Sequence, residues 1–416
     1  MNTQPRTFTL YANSGGCPQN QLDGAQVYNY LVSNGYAYTT SVETADLILI
    51  NSCAYRSEKE DQSIAKVHDV VQRKKKDAKI VVSGCLPKIA PHRLADLNSN
   101  INVIPGMELH NIEAIVPPVH SSWICSVPHS IPAPVLDYVK PFRRFLSEGL
   151  RFCRNSLPYD LARHFDRLLM YDHSPETYLI RAAQGCLGSC TYCAIRFSRG
   201  KLNSKPLNAV LDEVGTAVRR GVKELLLSAT DLAAYGRDLG TDISVLLREV
   251  LKIAPNHYLL LFYANPRWMI DIWDRLESVF ASGRIHFVHL SLNGGSEHIL
   301  NRMGRGYSLK DFETLTRSMK HASPFTVLQT QVITGFPGET EEDFQETIRF
   351  FKHNYFHNVQ VHVFDPRPGT VAAGMDNQVP IEVRQRRRKH LYALTLRRKL
   401  RYDIEYLATG IVPATW

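Results

Sequence analysis

Two α/β architectures in series are predicted: a doubly wound parallel sheet first, and a partial (β/α)₆ barrel after it. Three observations predict them. Short apolar runs alternate with helical patterns over the first hundred residues. Six further strand–helix repeats begin near Tyr178. A proline-rich stretch separates the two, and alternating βα order implies parallel strands.

In the first part, Thr7–Asn13 reads as a strand and Leu22–Asn34 as a helix closed by Gly35. Leu47–Asn51 is a short apolar run of the kind that forms a buried parallel strand. A polar helix is expected over Ser57–Lys76, a third strand over Lys79–Ser83 and a fourth over Ile101–Ile104. This βαβαβ order resembles a flavodoxin-like half. Cys17, Cys53 and Cys85 each follow one of the first three strands. That is the edge where open α/β sheets bind ligands. Three thiols at equivalent positions point to a shared site more than to isolated packing.

Residues 108–177 break the pattern. Pro117, Pro118, Pro128, Pro132, Pro134 and Pro141 mark a linker, with helices expected at Phe142–Cys153 and Leu161–Leu169. Cys125 and Cys153 lack partner spacing and read as ordinary thiols. Barrel strands are then expected at Tyr178–Ala183, Glu224–Ser228, Tyr258–Tyr263, His286–Leu292, Thr326–Thr334 and Val359–Phe364. Helices should intervene at Leu207–Arg219, Ile243–Ile253, Leu309–His321 and Glu341–His353. Catalytic groups belong at the C-terminal ends of barrel strands. The expected divisions are 1–107, 108–177, 178–380 and a basic helix in 381–416.

The chain of 416 residues carries a net charge of +9. Between Ile381 and Arg401 there are nine basic residues and one acid, so this segment holds nearly all of the excess. It reads as a solvated helix face with Leu391, Leu394 and Leu400 packing inward, or as a contact for phosphate. No signal-like or membrane-spanning apolar run is present, which predicts a cytoplasmic protein. In that compartment clustered cysteines hold metals more often than disulfides.

Cys186, Cys190 and Cys193 form a C-x₃-C-x₂-C loop straight after the first barrel strand. Three thiolates can hold three irons of a 4Fe–4S cluster and leave the fourth open. A structural zinc site would want a fourth protein ligand, and no Cys or His stands at an obvious spacing. The loop resembles that of the radical S-adenosylmethionine (SAM) superfamily, with Tyr192 at the position that packs near adenine. Gly16-Cys17-Pro18-Gln19-Asn20 through Asp23, Asn51-Ser52-Cys53, Ser83-Gly84-Cys85, Arg302–Tyr307, Gly335–Thr340 and Arg367–Thr370 resemble the methylthiotransferases within it.

That resemblance implies two 4Fe–4S clusters, one on Cys186, Cys190 and Cys193 and an auxiliary one on Cys17, Cys53 and Cys85. It implies two SAM molecules, one donating a methyl group and one a radical that activates a substrate C–H bond. It further implies SAM contacts from Ser228, Thr230 and Asp231 at its methionine end, from Asn293 and Ser296 at its ribose, and from Ile333, Gly335 and Pro337 at adenine. No side chain is assigned a catalytic role beyond the clusters. An external flavodoxin- or ferredoxin-like electron donor is expected, and no membrane partner.

Asn293, Gln331 and Leu260 stand where the family carries Gln, Asp and Arg, and the linker is longer. The family's TRAM domain would follow where the chain stops, at Trp416. These departures favour a peptide or protein side chain as substrate, such as a ribosomally made peptide. The alternative is a modified adenosine in tRNA. A second alternative is an oxidoreductase or sulfur-inserting enzyme without methyl transfer.

Overall fold

A computed structural model of the chain describes residues 6–12, 17–97, 101–122, 136–137 and 177–409, with side chains left aside at 136–137 and 406–409. The helices expected at Phe142–Cys153 and Leu161–Leu169, and Cys125 and Cys153 themselves, lie outside the described residues. Two compact units emerge. One takes the described residues of Met1–Leu146 together with Ala194–Lys201, the other those of Ser147–Cys193 and Leu202–Trp416.

The first unit contains β1 (Thr7–Ala12), β2 (Ala37–Tyr38), β3 (Leu47–Ser52), β4 (Lys79–Gly84), β5 (Ile101–Pro105) and β6 (Leu136–Asp137). All pairings are parallel, in the order β2-β1-β3-β4-β5, with β6 beside β1. Reading the first five strands, this is the flavodoxin-like order. Every residue of β3 is buried, as expected of a central parallel strand covered on both faces. The two-residue β2 escaped the sequence reading because it carries no periodic signal.

Helix Pro18–Ser33 begins earlier than the apolar pattern suggests, because Pro18 occupies its first turn directly after Cys17. Proline is preorganised there and its missing N–H is not needed. Gly84 ends β4 at φ +93°, and a Cβ there would run into the Ser52 carbonyl oxygen on β3. Gly84→Ala is expected to cost about 3 kcal/mol or more. Urea denaturation checks this, and an unchanged midpoint would refute it.

The second unit contains β7 (Thr177–Arg181), β8 (Ala183–Gln184), β9 (Asn203–Ser204), β10 (Glu224–Ser228), β11 (Tyr258–Ala264), β12 (Ile285–Asn293), β13 (Val327–Thr334) and β14 (Asn358–Val363). Its main sheet is parallel throughout, in the order β14-β13-β12-β11-β10-β7, and β8 pairs with β9 separately. Each strand of the main sheet lies beside its successor, as in a barrel wall, while β14 and β7 do not pair. Helices Leu207–Arg219, Ile243–Ile253, Leu309–Ala322 and Glu341–His353 intervene. The last two open with capping boxes, Ser308 with Asp311 and Thr340 with Asp343, which satisfy otherwise orphaned N–H groups.

Side chains on the strands alternate between two faces. Tyr178, Leu225, Leu259, Val288, Leu328 and Val361 belong to the large core shared with the helices. Leu226, Leu260, Phe262, Phe287 and Val327 form a separate cluster on the inner face.

The closing helix, Ile381–Thr409, corrects the reading of its charges and of its packing. Leu391 is fully buried and Leu394 packs on the core, but Leu400 is exposed. Arg387 pairs with Glu339 at 2.7 Å, and Lys399 pairs with Asp403. Arg384 donates to the Phe364 carbonyl at 3.0 Å and Arg398 to that of Phe351 at 2.7 Å. Arg384, Arg387 and Arg398 tie the helix down, whereas Lys399 and Asp403 pair within it. Arg386, Lys389, Arg397 and Arg401 stay exposed. No described helix is long and apolar enough to cross a membrane.

Candidate functional site

In the first unit, Cys53 and Cys85 each stand one residue beyond paired strand ends, Ser52 and Gly84. The Cys85 N–H donates to the Ser52 carbonyl at 3.0 Å. Cys17 is the residue before helix Pro18–Ser33, where its carbonyl accepts from the Asn20 N–H at 2.9 Å. Asn20 donates to the Asn51 side chain at 2.9 Å, and Asn51 returns a 2.6 Å bond to the Asn20 carbonyl. This buried exchange fastens the loop of Cys17 to the strand that leads to Cys53. Ser63, from the following helix, accepts from the Cys53 N–H at 3.1 Å.

Beside these thiols lies a charge that sequence reading missed. Arg199, from the short helix Ile195–Arg199, is 1% exposed and sits 2.7 Å from the Asp23 carboxylate, which is equally buried. Its guanidinium also abuts Gly106, where a Cβ would meet Nη1 at 3.2 Å. Ala194, just before this helix, packs in the core with Cys85, Leu86 and Ile89. Sequence order assigns 194–201 to the barrel segment, but its contacts belong to the first unit. Burial opposes the charge of Arg199, yet Asp23 and the Cys85 and Cys17 thiols together raise its pKa above the ordinary value. Burial pushes the Cys17 thiol up while Arg199 pulls it down. Burial and its two neighbours, Cys85 and Cys17, also push Cys53 up.

Two thiols, Cys17 and Cys53, whose ionisation burial and their neighbours oppose, with Cys85 and a buried guanidinium beside them, fit a cationic iron core that would take all three cysteines as thiolates. Among the described residues no three His, Cys, Asp or Glu side chains close around a single metal ion.

In the second unit, the loop bearing Cys186, Cys190 and Cys193 is pinned through Thr191. Its N–H donates to Met303, its hydroxyl to Arg302 at 3.0 Å, and its carbonyl accepts from Ala372. Arg305 donates to the Cys190 sulfur at 3.1 Å and also to the Asn265 side chain and the Ser291 carbonyl. The Gly188 N–H lies 3.1 Å from the Cys186 sulfur. A Cβ on Gly188 would sit 3.2 Å from that sulfur and 3.7 Å from that of Cys190, filling the space they share. Donors aimed at cysteine sulfurs suit thiolates that ligate a cluster. Burial and Asp231 push the Cys186 thiol up to about 12, so a cation must help to ionise it.

Asp231 lies 3.7 Å from the Cys186 sulfur and accepts from the Trp268 indole N–H at 2.8 Å and the Asn265 N–H at 3.2 Å. Ser228 is buried at the end of β10, and the Thr230 hydroxyl is buried without a hydrogen-bond partner among the described residues. Tyr192 meets Phe336 edge-on at 6.4 Å and shares a cluster with Ile333. Asn293 ends β12 at φ +71°, a conformation few non-glycine residues adopt.

The remaining expected contacts have structural partners. The Ser296 hydroxyl caps helix Glu297–Met303 and donates to Asp343 at 2.8 Å. The Gly335 N–H donates to Glu339 at 2.7 Å, and the Pro337 carbonyl accepts from Arg302 at 3.1 Å. Arg305, Asn265 and Trp268 were missed. Arg305 stands inside the quoted Arg302–Tyr307 motif, so the motif was visible while its contact with Cys190 was not.

The chain matches the uncharacterized protein family UPF0004 over residues 9–106 and the radical SAM superfamily over residues 180–351. It is 31% identical to the threonylcarbamoyladenosine tRNA methylthiotransferase of Xenopus laevis over 94% of this chain and 66% of that protein. For the human protein of that name the figures are 30%, 94% and 63%. For a probable one in Pyrococcus horikoshii they are 29%, 97% and 87%. The chain thus spans about two thirds of the length of the vertebrate relatives.

The fold is shared with a radical SAM methyltransferase, TsrM of Kitasatospora setae, at TM-score 0.58 and 13% identity, covering 89% of this chain and 77% of that one. OxsB, a cobalamin-dependent SAM radical enzyme, matches at 0.53 and 9%, covering 94% and 56%. Two 4Fe–4S clusters and SAM fit the two cysteine sets. Both halves, each with its own triad of cysteines, identify the chain as an enzyme that belongs to the radical SAM methylthiotransferase family.

Proposed function

We propose that this protein methylthiolates threonylcarbamoyladenosine in tRNA, with Cys186, Cys190 and Cys193 holding one 4Fe–4S cluster and Cys17, Cys53 and Cys85 the other. The relatives' names carry the choice of substrate: the alignments run over 93–97% of this chain. They favour the nucleoside over the peptide that the barrel-mouth departures suggested, and those departures then mark variation around one kind of substrate. Cytoplasmic tRNA and an external flavodoxin- or ferredoxin-like electron donor are the partners of this reading.

When bound, the clusters and SAM supply methyl transfer to sulfur and radical activation of a C–H bond. The chain's own residues position and shield. Arg305 steadies the charge on Cys190, Asp231 holds Trp268 and Asn265 in place, and the loop around Thr230 and Asn293 borders SAM. The leucines and phenylalanines of the inner face keep water from the reacting groups.

The exposed Arg386, Lys389, Arg397 and Arg401 supply phosphate contacts. Four such contacts weaken tRNA binding roughly 100-fold over a fourfold rise in salt. Filter binding across salt concentrations measures this, and digestion of the treated tRNA shows whether one nucleoside gains S–CH₃ in place of hydrogen. Salt-insensitive binding, together with no gain on the nucleoside, would return the substrate to a peptide or protein.

A further inference from the structure

The inner face of the second unit changes character along its strands. At the N-terminal ends it is apolar, with Leu226, Leu260, Phe287 and Val327 in contact. Beyond that floor, towards the C-terminal ends of β12, β13 and β14, the same alternation places His289, Ser291, Gln329, Gln331, Gln360 and His362. These side chains are polar, and none is a carboxylate or an ammonium. They are suited to the uncharged planar part of a ligand that offers hydrogen-bond donors and acceptors.

His289 stands where apolar floor meets polar layer. It is 1% exposed, and neither ring nitrogen has a hydrogen-bond partner among the described residues. Its flanks are aromatic: the Tyr263 ring lies 5.0 Å away at 52° and the Phe262 ring 6.4 Å away, edge-on. Gln329 is its register partner on β13. Tyr263 itself has φ +63°, a conformation that surrounding structure must enforce on a bulky residue. Burial, with the nearby charge of His362, lowers the His289 pKa to about 3. The ring is therefore neutral at physiological pH, with one nitrogen donating and the other accepting.

Buried polar groups are almost always bonded, so an unbonded pair of nitrogens calls for an explanation. A histidine serving only to fill this space would be inferior to leucine, because two desolvated nitrogens carry a cost without return.

We propose that His289 is a substrate-contacting residue: its neutral ring hydrogen-bonds the modified nucleobase, which lies in the polar layer above the apolar floor and beside Tyr263. The inference rests on the tRNA reading and adds the place and the groups by which the base is held. Adenine and a carbamoyl group each carry adjacent donors and acceptors on a planar frame, the complement of a neutral imidazole set among amides.

The test uses the full chain with both clusters reconstituted and two probes, a tRNA bearing threonylcarbamoyladenosine and the same tRNA with plain adenosine. His289→Leu should lower kcat/KM on the modified tRNA roughly 10- to 100-fold. It should also raise the 5′-deoxyadenosine formed per product, because a loosely held base misses the radical. The unfolding midpoint should not fall, since the leucine removes unsatisfied nitrogens. His289→Gln, which keeps a donor and an acceptor, should recover much of the coupling.

Unchanged kcat/KM and coupling in His289→Leu would overturn the inference while leaving the tRNA reading intact. Lowered midpoints in both variants with an unaltered product ratio would overturn it as well, by making His289 a core residue. Wild-type protein that modifies neither tRNA would overturn the tRNA reading, and the inference with it.

Discussion

Alanine at Cys17, Cys53 and Cys85 together should lower bound iron from about eight to about four per chain in anaerobically reconstituted protein. The remaining four irons would be those held by Cys186, Cys190 and Cys193. The triple variant should therefore still cleave SAM to 5′-deoxyadenosine while forming no methylthio product. The reciprocal variant, alanine at Cys186, Cys190 and Cys193, should keep about four irons and form no 5′-deoxyadenosine. Iron and sulfide assays with chromatographic analysis of the nucleoside read both outcomes. Four irons in wild type and in the Cys17, Cys53 and Cys85 variant alike would leave that triad without a cluster, and the two-cluster reading would fail. The geometry makes the effect separable, since each triad lies on a different sheet with its own supporting hydrogen bonds.

Arg199→Met should destabilise the first unit by about 3–5 kcal/mol. Both members of its ion pair are buried, so removal of the guanidinium takes away the cation that faces the Asp23 carboxylate in a low-dielectric interior. Arg199→Met with Asp23→Leu together should recover much of that loss, because the buried charge then goes with its partner. Urea denaturation of the cluster-free protein measures both, in isolation from any effect on iron. A single variant as stable as wild type would mean that water or another group compensates Asp23. In the reconstituted protein, losing the cation beside Cys17 and Cys85 should lower the potential of the auxiliary cluster, which redox titration followed by electron paramagnetic resonance reads. An anionic centre becomes harder to reduce when a neighbouring positive charge is removed.

Local pattern was enough for most of the secondary structure. Leu47–Asn51 is apolar throughout because both faces of β3 are covered, and Leu207–Arg219 shows one apolar side because only one side meets the sheet. Such signals lie within a few residues and survive without knowledge of the rest. The cysteine positions were legible for the same reason: Cys53 and Cys85 follow apolar runs directly, and C-x₃-C-x₂-C is a spacing within one loop.

The sequence alone therefore determined the α/β class, the order of its elements and the two triads of thiols. Tertiary structure decided the partners of charged and polar groups. Arg199 and Asp23 are 176 positions apart yet form an ion pair at 2.7 Å, and Arg305 reaches Cys190 across 115 positions. Arg384, Arg387 and Arg398 of the closing helix look like their exposed neighbours until the carbonyls and carboxylate they bind are in place. His289 differs from any strand histidine only by what does not meet it. Apolar burial leaves a periodic trace along the chain, whereas the pairing of a long polar side chain is set by a partner that folding brings from elsewhere.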